Sequence, residues 1–81
     1  MKEIGKILHY TKSKVFVIET NEKVPLRTEV FDDREEKIGI VIDIIGPTNK
    51  PYLVAMPLVE EPYKYVGKTV YILKKKATER R

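Results

Sequence analysis

The sequence predicts an all-β protein, a small six-stranded antiparallel barrel that is closed or nearly closed. Three observations support this prediction. No stretch of ten or more residues shows the 3.6-residue apolar period of a globular helix. Short runs rich in β-branched residues recur along the chain, separated by clusters of turn-forming residues. Six short strands of this kind in one small domain are typical of a barrel.

The first two predicted strands form a hairpin at the N-terminus. Side chains of different polarity alternate over residues 4–10, which predicts strand one. A short polar segment, Thr11-Lys12-Ser13, has the composition of a turn. Residues 15–19 contain three β-branched residues and a phenylalanine, and they are predicted to form strand two.

A loop and a short third strand are predicted next. Residues 20–28 are mostly polar and include Pro25, which indicates a loop. Residues 29–32 are predicted to form strand three. The segment 33–36 contains four charged residues and is predicted to be an exposed turn, with Asp32 lying at its start.

Strands four and five are predicted to form a central hairpin whose loop is stiffened by two prolines. Strand four is predicted at 37–45 and strand five at 52–58. Gly46-Pro47 ends strand four, because proline cannot donate to a sheet ladder and its ring fixes φ. Pro51 forces Lys50 towards an extended conformation.

The last part of the barrel is predicted to be an irregular segment and a sixth strand. Residues 59–68 include Pro62 and Gly67 and are expected to be irregular, and strand six is predicted at 69–73. The 81 residues are enough for one small domain, which is assigned to residues 1–73. The remaining segment 74–81, KKKATERR, is expected to be a disordered basic tail.

The central hairpin resembles a known family. The segment from Lys37 to Met56, KIGIVIDIIGPTNKPYLVAM, is similar to the core signature of the small glycine/arginine-rich protein of H/ACA ribonucleoproteins, in its short archaeal form. Nine positions match that signature: Ile38, Gly39, Val41, Asp43, Ile44, Gly46, Pro47, Pro51 and Tyr52. The pattern departs at Ala55 and Met56, near positions often held by valine and lysine. The resemblance extends over about residues 4–73.

The resemblance implies a fold, a partner and a function. The family fold is a six-stranded barrel like the second domain of translation factors. The implied function is that of a non-catalytic accessory subunit, which binds the catalytic pseudouridine synthase of the H/ACA particle and promotes guide-RNA-directed modification of ribosomal RNA and ribosome biogenesis. Guide RNA and substrate RNA are then indirect partners. Neither a cofactor nor a small-molecule ligand is expected, and the long glycine- and arginine-rich extensions of eukaryotic members are absent.

Composition and charge limit the classes of function. There is no cysteine for a disulfide or a zinc site, and no apolar run is long enough to span a bilayer or act as a secretory signal, so a cytoplasmic protein is expected. The tail 74–81 holds five of the 16 basic residues and one of the 12 acidic ones. Residues 1–73 therefore hold eleven of each. The net charge of +4 lies in the tail, and the body lacks the basic surplus expected of a nucleic-acid-binding groove.

The pattern of strand four predicts an interaction surface. Ile38, Ile40, Ile42 and Ile44 are expected to share one face, with Val41 and Ile45 on the other, although a small barrel buries one face of each strand. Either the loop 20–28 or 59–68 folds over the second face, or a partner protein covers it. The candidate contact residues are the hairpin loop and nearby apolar positions: Ile40, Ile42, Ile44, Gly46, Pro47, Pro51, Tyr52 and Val54.

No residue is a convincing candidate for catalysis. His9 is the single histidine, and without a cysteine or a base–nucleophile arrangement it makes neither a metal site nor a triad. Asp43 lies among apolar neighbours in the sequence, and it either accepts backbone N–H groups of the following turn or contacts a partner. We expect no catalytic, cofactor or metal-binding residue.

The alternative function is that of a stand-alone RNA-binding barrel of the OB or Sm-like type. Five tyrosines offer surfaces for stacking bases: Tyr10, Tyr52, Tyr63, Tyr65 and Tyr71. The basic residues of the tail are either a solvated terminus or a contact with RNA: Lys74, Lys75, Lys76, Arg80 and Arg81. The neutral body favours the protein-binding interpretation.

Overall fold

The computed structural model describes residues 1–73 of the 81-residue chain. It contains six β-strands, numbered in chain order: β1 (Lys2–Tyr10), β2 (Phe16–Thr20), β3 (Glu29–Phe31), β4 (Lys37–Ile45), β5 (Tyr52–Pro57) and β6 (Thr69–Ile72). One turn of 3-10 helix, Pro62–Tyr65, lies in the segment predicted to be irregular. The predicted all-β class is confirmed, and each predicted strand boundary lies within two residues of the observed one.

The six strands form a closed antiparallel barrel in the order β1-β2-β5-β4-β3-β6, with β6 returning to β1. The closing pair aligns Lys2 with Ile72, so the two ends of the described chain are neighbours in the sheet. The pairing between β3 and β6 has the fewest residues in the barrel, because it consists of the single pair Phe31 and Tyr71. The predicted barrel is therefore closed, and each of its strands has a neighbour on both sides.

The core lies inside the barrel and is made by inward residues of all six strands and by Val24 of the loop before β3. These inward side chains are apolar, and several are large and fully buried: Ile4, Ile7, Phe16, Ile18, Val24, Val30, Ile38, Val41, Leu53, Ala55 and Val70. Burying a side chain of this kind contributes about 1.5–3 kcal/mol relative to leaving it in water. The 3-10 turn closes one end of the barrel, because Tyr65 packs there with its ring centroid 6.5 Å from that of Phe16.

Two β-bulges in β4 overturn the expectation that its isoleucines share one face. In the pairing with β3, Lys37 and Gly39 have partners on consecutive residues, so Ile38 between them is an extra residue. In the pairing with β5, Val41 and Asp43 have partners on consecutive residues, so Ile42 between them is an extra residue. Each extra residue shifts the alternation of side chains by one. As a result Ile38 is fully buried, and Ile44 packs against the core.

The same shift places the remaining side chains of β4. Ile40 is half-buried on the outside of the barrel, opposite the buried Val41. Ile42 is exposed at the second bulge. The prediction that Val41 and Ile45 share a face is also wrong, since Val41 is buried and Ile45 is exposed.

Asp32 is buried, whereas the sequence predicted that it belongs to an exposed turn. Its Oδ1 accepts the backbone N–H groups of Arg34 and Glu36, each at 2.9 Å. The carboxylate thereby organises the tight β3–β4 turn, in which Glu35 has a positive φ of 67°. Its burial follows from this structural role, because a carboxylate that receives hydrogen bonds tolerates the loss of water.

Candidate protein-binding surface

The outer sides of β4, β5 and β2 form a continuous apolar surface. Cross-strand pairing places Ile40 beside Met56 and Ile45 beside Tyr52. Val54 lies between Asp43 on β4 and Val17 on β2. Leu53 and Ala55 of β5 are buried, so their neighbours along the strand point outward. We call this the outer apolar surface, and its members are Val17, Ile40, Ile42, Ile45, Tyr52, Val54 and Met56.

The outer apolar surface is accessible to solvent. Met56 is 50% exposed, Ile45 44% and Ile42 43%, and the other members are half-buried. Single exposed apolar side chains are common, but a contiguous group on one sheet face is typical of an interaction site.

Neither of the two loops considered as a cover shields these exposed side chains. The loop before β3 sends Val24 into the core, and its last residues run beside β4. There the Arg27 N–H donates to the Val41 carbonyl oxygen at 2.7 Å. The Val41 N–H in turn donates to the Thr28 carbonyl oxygen at 2.9 Å. The segment before β6 closes the barrel end at Tyr65. Of the two explanations offered by the sequence, the structure therefore does not support coverage by these loops.

The bulge at Ile42 shapes the centre of this surface. Asp43 is exposed, and its Oδ1 accepts the N–H of the next residue, Ile44, at 2.8 Å. The expected hydrogen bond to the following turn is therefore replaced by one within the strand. The Ile44 N–H lies next to the bulge, where the extra residue interrupts the pairing of the two strands. The Asp43 carboxylate provides an acceptor for this N–H and so stabilises the bulge, while it stays exposed to water.

The β4–β5 loop stands at one end of the outer apolar surface. Residues 46–50 are all exposed, and Lys50 N–H donates to the Pro47 carbonyl oxygen at 3.2 Å. Gly46 has a φ of +91°, and a Cβ built there would lie 3.0 Å from Cδ2 of Tyr52. The Tyr52 ring thus packs against the glycine backbone. The two prolines and this contact give a loop that loses little entropy on binding.

Six of the eight predicted contact residues belong to the outer apolar surface or its adjoining loop: Ile40, Ile42, Gly46, Pro47, Tyr52 and Val54. Ile44 and Pro51 do not, because Ile44 packs against the core and Pro51 is buried. Sequence reasoning did not include Val17, Ile45 and Met56. Alternation within strand five already contained the signal for Met56, since it lies two residues from Val54.

Charged groups of both signs surround the apolar centre. Glu29 pairs in register with Ile40, and its Oε2 lies 3.1 Å from Nζ of Lys37. On the other side Glu19 pairs with Tyr52 and with Lys6. Apart from Asp43, which is exposed beside Val54, the surface has an apolar centre and a polar rim, which is the usual anatomy of a protein–protein interface.

The described residues offer little to chemistry. Within residues 1–73, no group of three His, Cys, Asp or Glu side chains is arranged to hold a metal ion. His9 is exposed on the outside of β1, opposite Val17. No helix in this range combines the length and apolar character needed to cross a membrane. The predicted RNA contacts at Lys74, Lys75, Lys76, Arg80 and Arg81 lie outside the described residues.

Comparison with known proteins finds an archaeal relative. An uncharacterized protein of the archaeon Methanothermobacter thermautotrophicus (strain Delta H) is 33% identical over 76 residues. The matching region covers 89% of this chain and 83% of the relative. No protein-family model matches the chain.

Proposed function

We propose that this chain, which belongs to the same family as the Methanothermobacter protein, has a role in RNA modification. The proposed role is that of a non-catalytic accessory subunit of an H/ACA ribonucleoprotein. Its direct partner is the catalytic pseudouridine synthase of the particle. Guide RNA and substrate RNA are reached through that partner, in the cytoplasm of an archaeal cell. The proposal includes neither a cofactor nor a catalytic residue in this chain.

The observation that carries the proposal is the position of the outer apolar surface. The nine matches to the H/ACA signature fall on β4, the β4–β5 loop and the start of β5. The same hairpin carries three of the nine large apolar side chains that are exposed among residues 1–73: Ile42, Ile45 and Met56. Resemblance and geometry thus indicate the same part of the molecule as a docking surface.

In this function the barrel acts by binding one conformation of the synthase better than another. The family resemblance implies a mobile substrate-gripping loop on the partner, which alternates between open and closed states. A subunit with equal affinity for both states would shift nothing, so the outer apolar surface and its rigid loop must contact the two states differently. The accessory subunit thereby favours substrate placement and product release, while the synthase supplies the catalytic groups.

The proposal is tested by binding of the purified chain to an archaeal H/ACA pseudouridine synthase without RNA, at low and high salt. We expect binding to persist at high salt, because apolar contacts are not screened. Ile42→Asp and Met56→Asp are expected to weaken it at least about 100-fold, since each places a charge in a desolvated contact.

A matched control variant is Val66→Asp. Val66 is 43% exposed, as is Ile42, but it lies beside the 3-10 turn at the barrel end. We expect Val66→Asp to bind the synthase normally. Equal loss in both variants, or binding that appears only when guide RNA is added at low salt, would contradict the proposal. The second result would favour the alternative of an RNA-binding barrel.

A further inference from the structure

One charged side chain lies within the outer apolar surface. Asp43 is exposed on the outside of β4, beside Val54 of β5. Along β4 it is flanked by Ile42 and Ile45, which are also exposed. A protein that covers these apolar side chains therefore also covers the Asp43 carboxylate.

The bulge in β4 is what places this carboxylate outside the barrel. Val41 is buried, so an unbroken alternation of side chains would turn Ile42 outward and Asp43 inward. The extra residue Ile42 shifts the alternation by one, and both side chains become exposed. The strand irregularity thus sets a negative charge among apolar side chains.

The hydrogen bonding of Asp43 leaves most of its acceptor capacity for other molecules. Its Oδ1 accepts the N–H of Ile44 at 2.8 Å. Among residues 1–73, no other hydrogen bond to this carboxylate is formed. A carboxylate has about four acceptor sites on its two oxygens, so about three of them are open to water or to a partner.

The described part of the chain does not neutralise this charge. Within residues 1–73 the ion pairs join Lys2 to Glu22, Lys37 to Glu29 and Lys64 to Glu61, and none includes Asp43.

The basic residue to consider on the other side of β4 is Arg27. Its backbone N–H donates to the carbonyl oxygen of Val41, two residues before Asp43. The Arg27 side chain is exposed and belongs to none of the ion pairs named above. A counter-charge for Asp43 in a complex must therefore come from the partner.

Covering an ionised carboxylate without a counter-charge is unfavourable, because the carboxylate loses its water and gains nothing in return. A partner that matched only the apolar side chains would bind weakly for this reason. A basic side chain opposite the carboxylate restores the interaction through charge-assisted hydrogen bonds. Arginine suits this position best, since a guanidinium is more weakly hydrated than an ammonium group and presents several N–H donors in one plane.

We propose that Asp43 determines the specificity of the outer apolar surface by pairing with a basic side chain, an arginine or a lysine, of the partner protein. The docking site on the partner then consists of an apolar patch with one basic group inside it. This inference rests on the proposed function, in which the partner is the pseudouridine synthase, and it adds the chemistry of the site that the synthase must present.

The test is the kinetics of binding, measured by surface plasmon resonance with the full chain and an archaeal H/ACA pseudouridine synthase without RNA. Asp43→Asn removes the charge but keeps an oxygen that can accept the Ile44 N–H. We expect this variant to bind at least about tenfold more weakly, mainly through faster dissociation, because the basic side chain of the partner is left buried and unpaired.

Three further variants serve as controls. Asp33→Asn makes the same change in the exposed β3–β4 turn, outside the outer apolar surface, and is expected to alter affinity less than about twofold. Arg27→Gln is expected to have an equally small effect. Asp43→Glu keeps the charge on a longer side chain and is expected to recover most of the affinity that Asp43→Asn loses. Circular dichroism checks that each variant is folded.

Three results would overturn the inference. Asp43→Asn that binds as tightly as the parent chain, or more tightly, would mean that the partner offers no counter-charge. Weak binding of Asp43→Glu with normal binding of Asp43→Asn would mean that the hydrogen bond within the bulge matters and the charge does not. An equal loss in Arg27→Gln would mean that the charge acts through Arg27.

Failure of this inference is distinguishable from failure of the proposed function. If the parent chain binds the synthase and Ile42→Asp weakens binding while Asp43→Asn does not, the docking surface is correct and the basic counter-charge is wrong. If the parent chain does not bind the synthase, both the proposed function and this inference are wrong.

Discussion

At Gly5 the backbone of β1 approaches β2 so closely that a side chain has no space. Gly5 pairs with Thr20 on one side and with Val70 on the other, next to a register shift between Glu3 and Gly5. A Cβ added there would overlap the carbonyl oxygen of Glu19. Because the obstacle is backbone in the neighbouring strand, it cannot move without breaking the ladder, so this residue limits how tightly the barrel closes.

We expect Gly5→Ala to destabilise the domain severely, by more than about 3 kcal/mol, because the strands must separate to admit the methyl group. Gly67→Ala is the matched control. Gly67 has a φ of +90° but nothing within 4 Å of a built Cβ, so its replacement should cost about 1–2 kcal/mol of backbone strain alone. Urea unfolding followed by circular dichroism measures both. Equal effects would show that the contact with Glu19 relaxes easily.

The register of β4 decides which of its isoleucines is core and which is surface. An unbroken nine-residue strand would place Ile38, Ile40, Ile42 and Ile44 together. The bulges at Ile38 and Ile42 instead turn the ends of that series inward and leave its centre outside. A bulge also increases the local twist of a strand, which helps a short sheet to curl into a closed barrel.

We expect aspartate at Ile42 and at Ile44, two residues apart in β4, to have very different effects on the stability of the fold. Ile44→Asp should unfold the domain, because it places a charge without a partner against the core. Ile42→Asp should change the free energy of unfolding by less than about 1 kcal/mol, since this side chain is 43% exposed. Thermal unfolding of the two variants checks the bulge, and the reverse order would show that the register is shifted by one residue.

At the scale of the whole molecule, closure joins the first strand to the last. Lys2 pairs with Ile72, and β6 lies between β1 and β3, so the core cannot form fully until β1 and β6 meet. Contacts between residues so distant in sequence form slowly, because the entropy of closing the long loop is lost before the contact is gained. One shared core also links all six strands to a single unfolding event.

We therefore expect cooperative unfolding and slow folding. Urea transitions followed by far-ultraviolet circular dichroism and by tyrosine fluorescence should coincide, and refolding should take milliseconds to seconds. The five tyrosines report on the transition because the sequence contains no tryptophan. Separate transitions for the two probes would mean that part of the barrel, such as the seam between β3 and β6, opens before the rest.

Local signals made the strand positions and the β4–β5 hairpin predictable. Gly46-Pro47 and Pro51 restrict the backbone only at their own and adjacent residues. The predicted boundaries of β4 and the predicted start of β5 therefore agree with the structure. The burial of Asp32 was not predictable from composition, because it depends on the N–H groups of Arg34 and Glu36 folding back on one carboxylate. The inward position of Ile44 was not predictable either, because it results from the bulge at Ile42, and a bulge is defined by the pairing with the neighbouring strand β5.

The amino-acid order alone determined that the chain forms short strands, where they begin and end, and which hairpin carries an apolar excess, because period-two patterns and proline and glycine act over a few residues. Tertiary structure decided which face of each strand is core. It brought Met56, Ile40 and Val17 into one surface. These features depend on register and closure between distant strands, and a shift of one residue exchanges inside and outside.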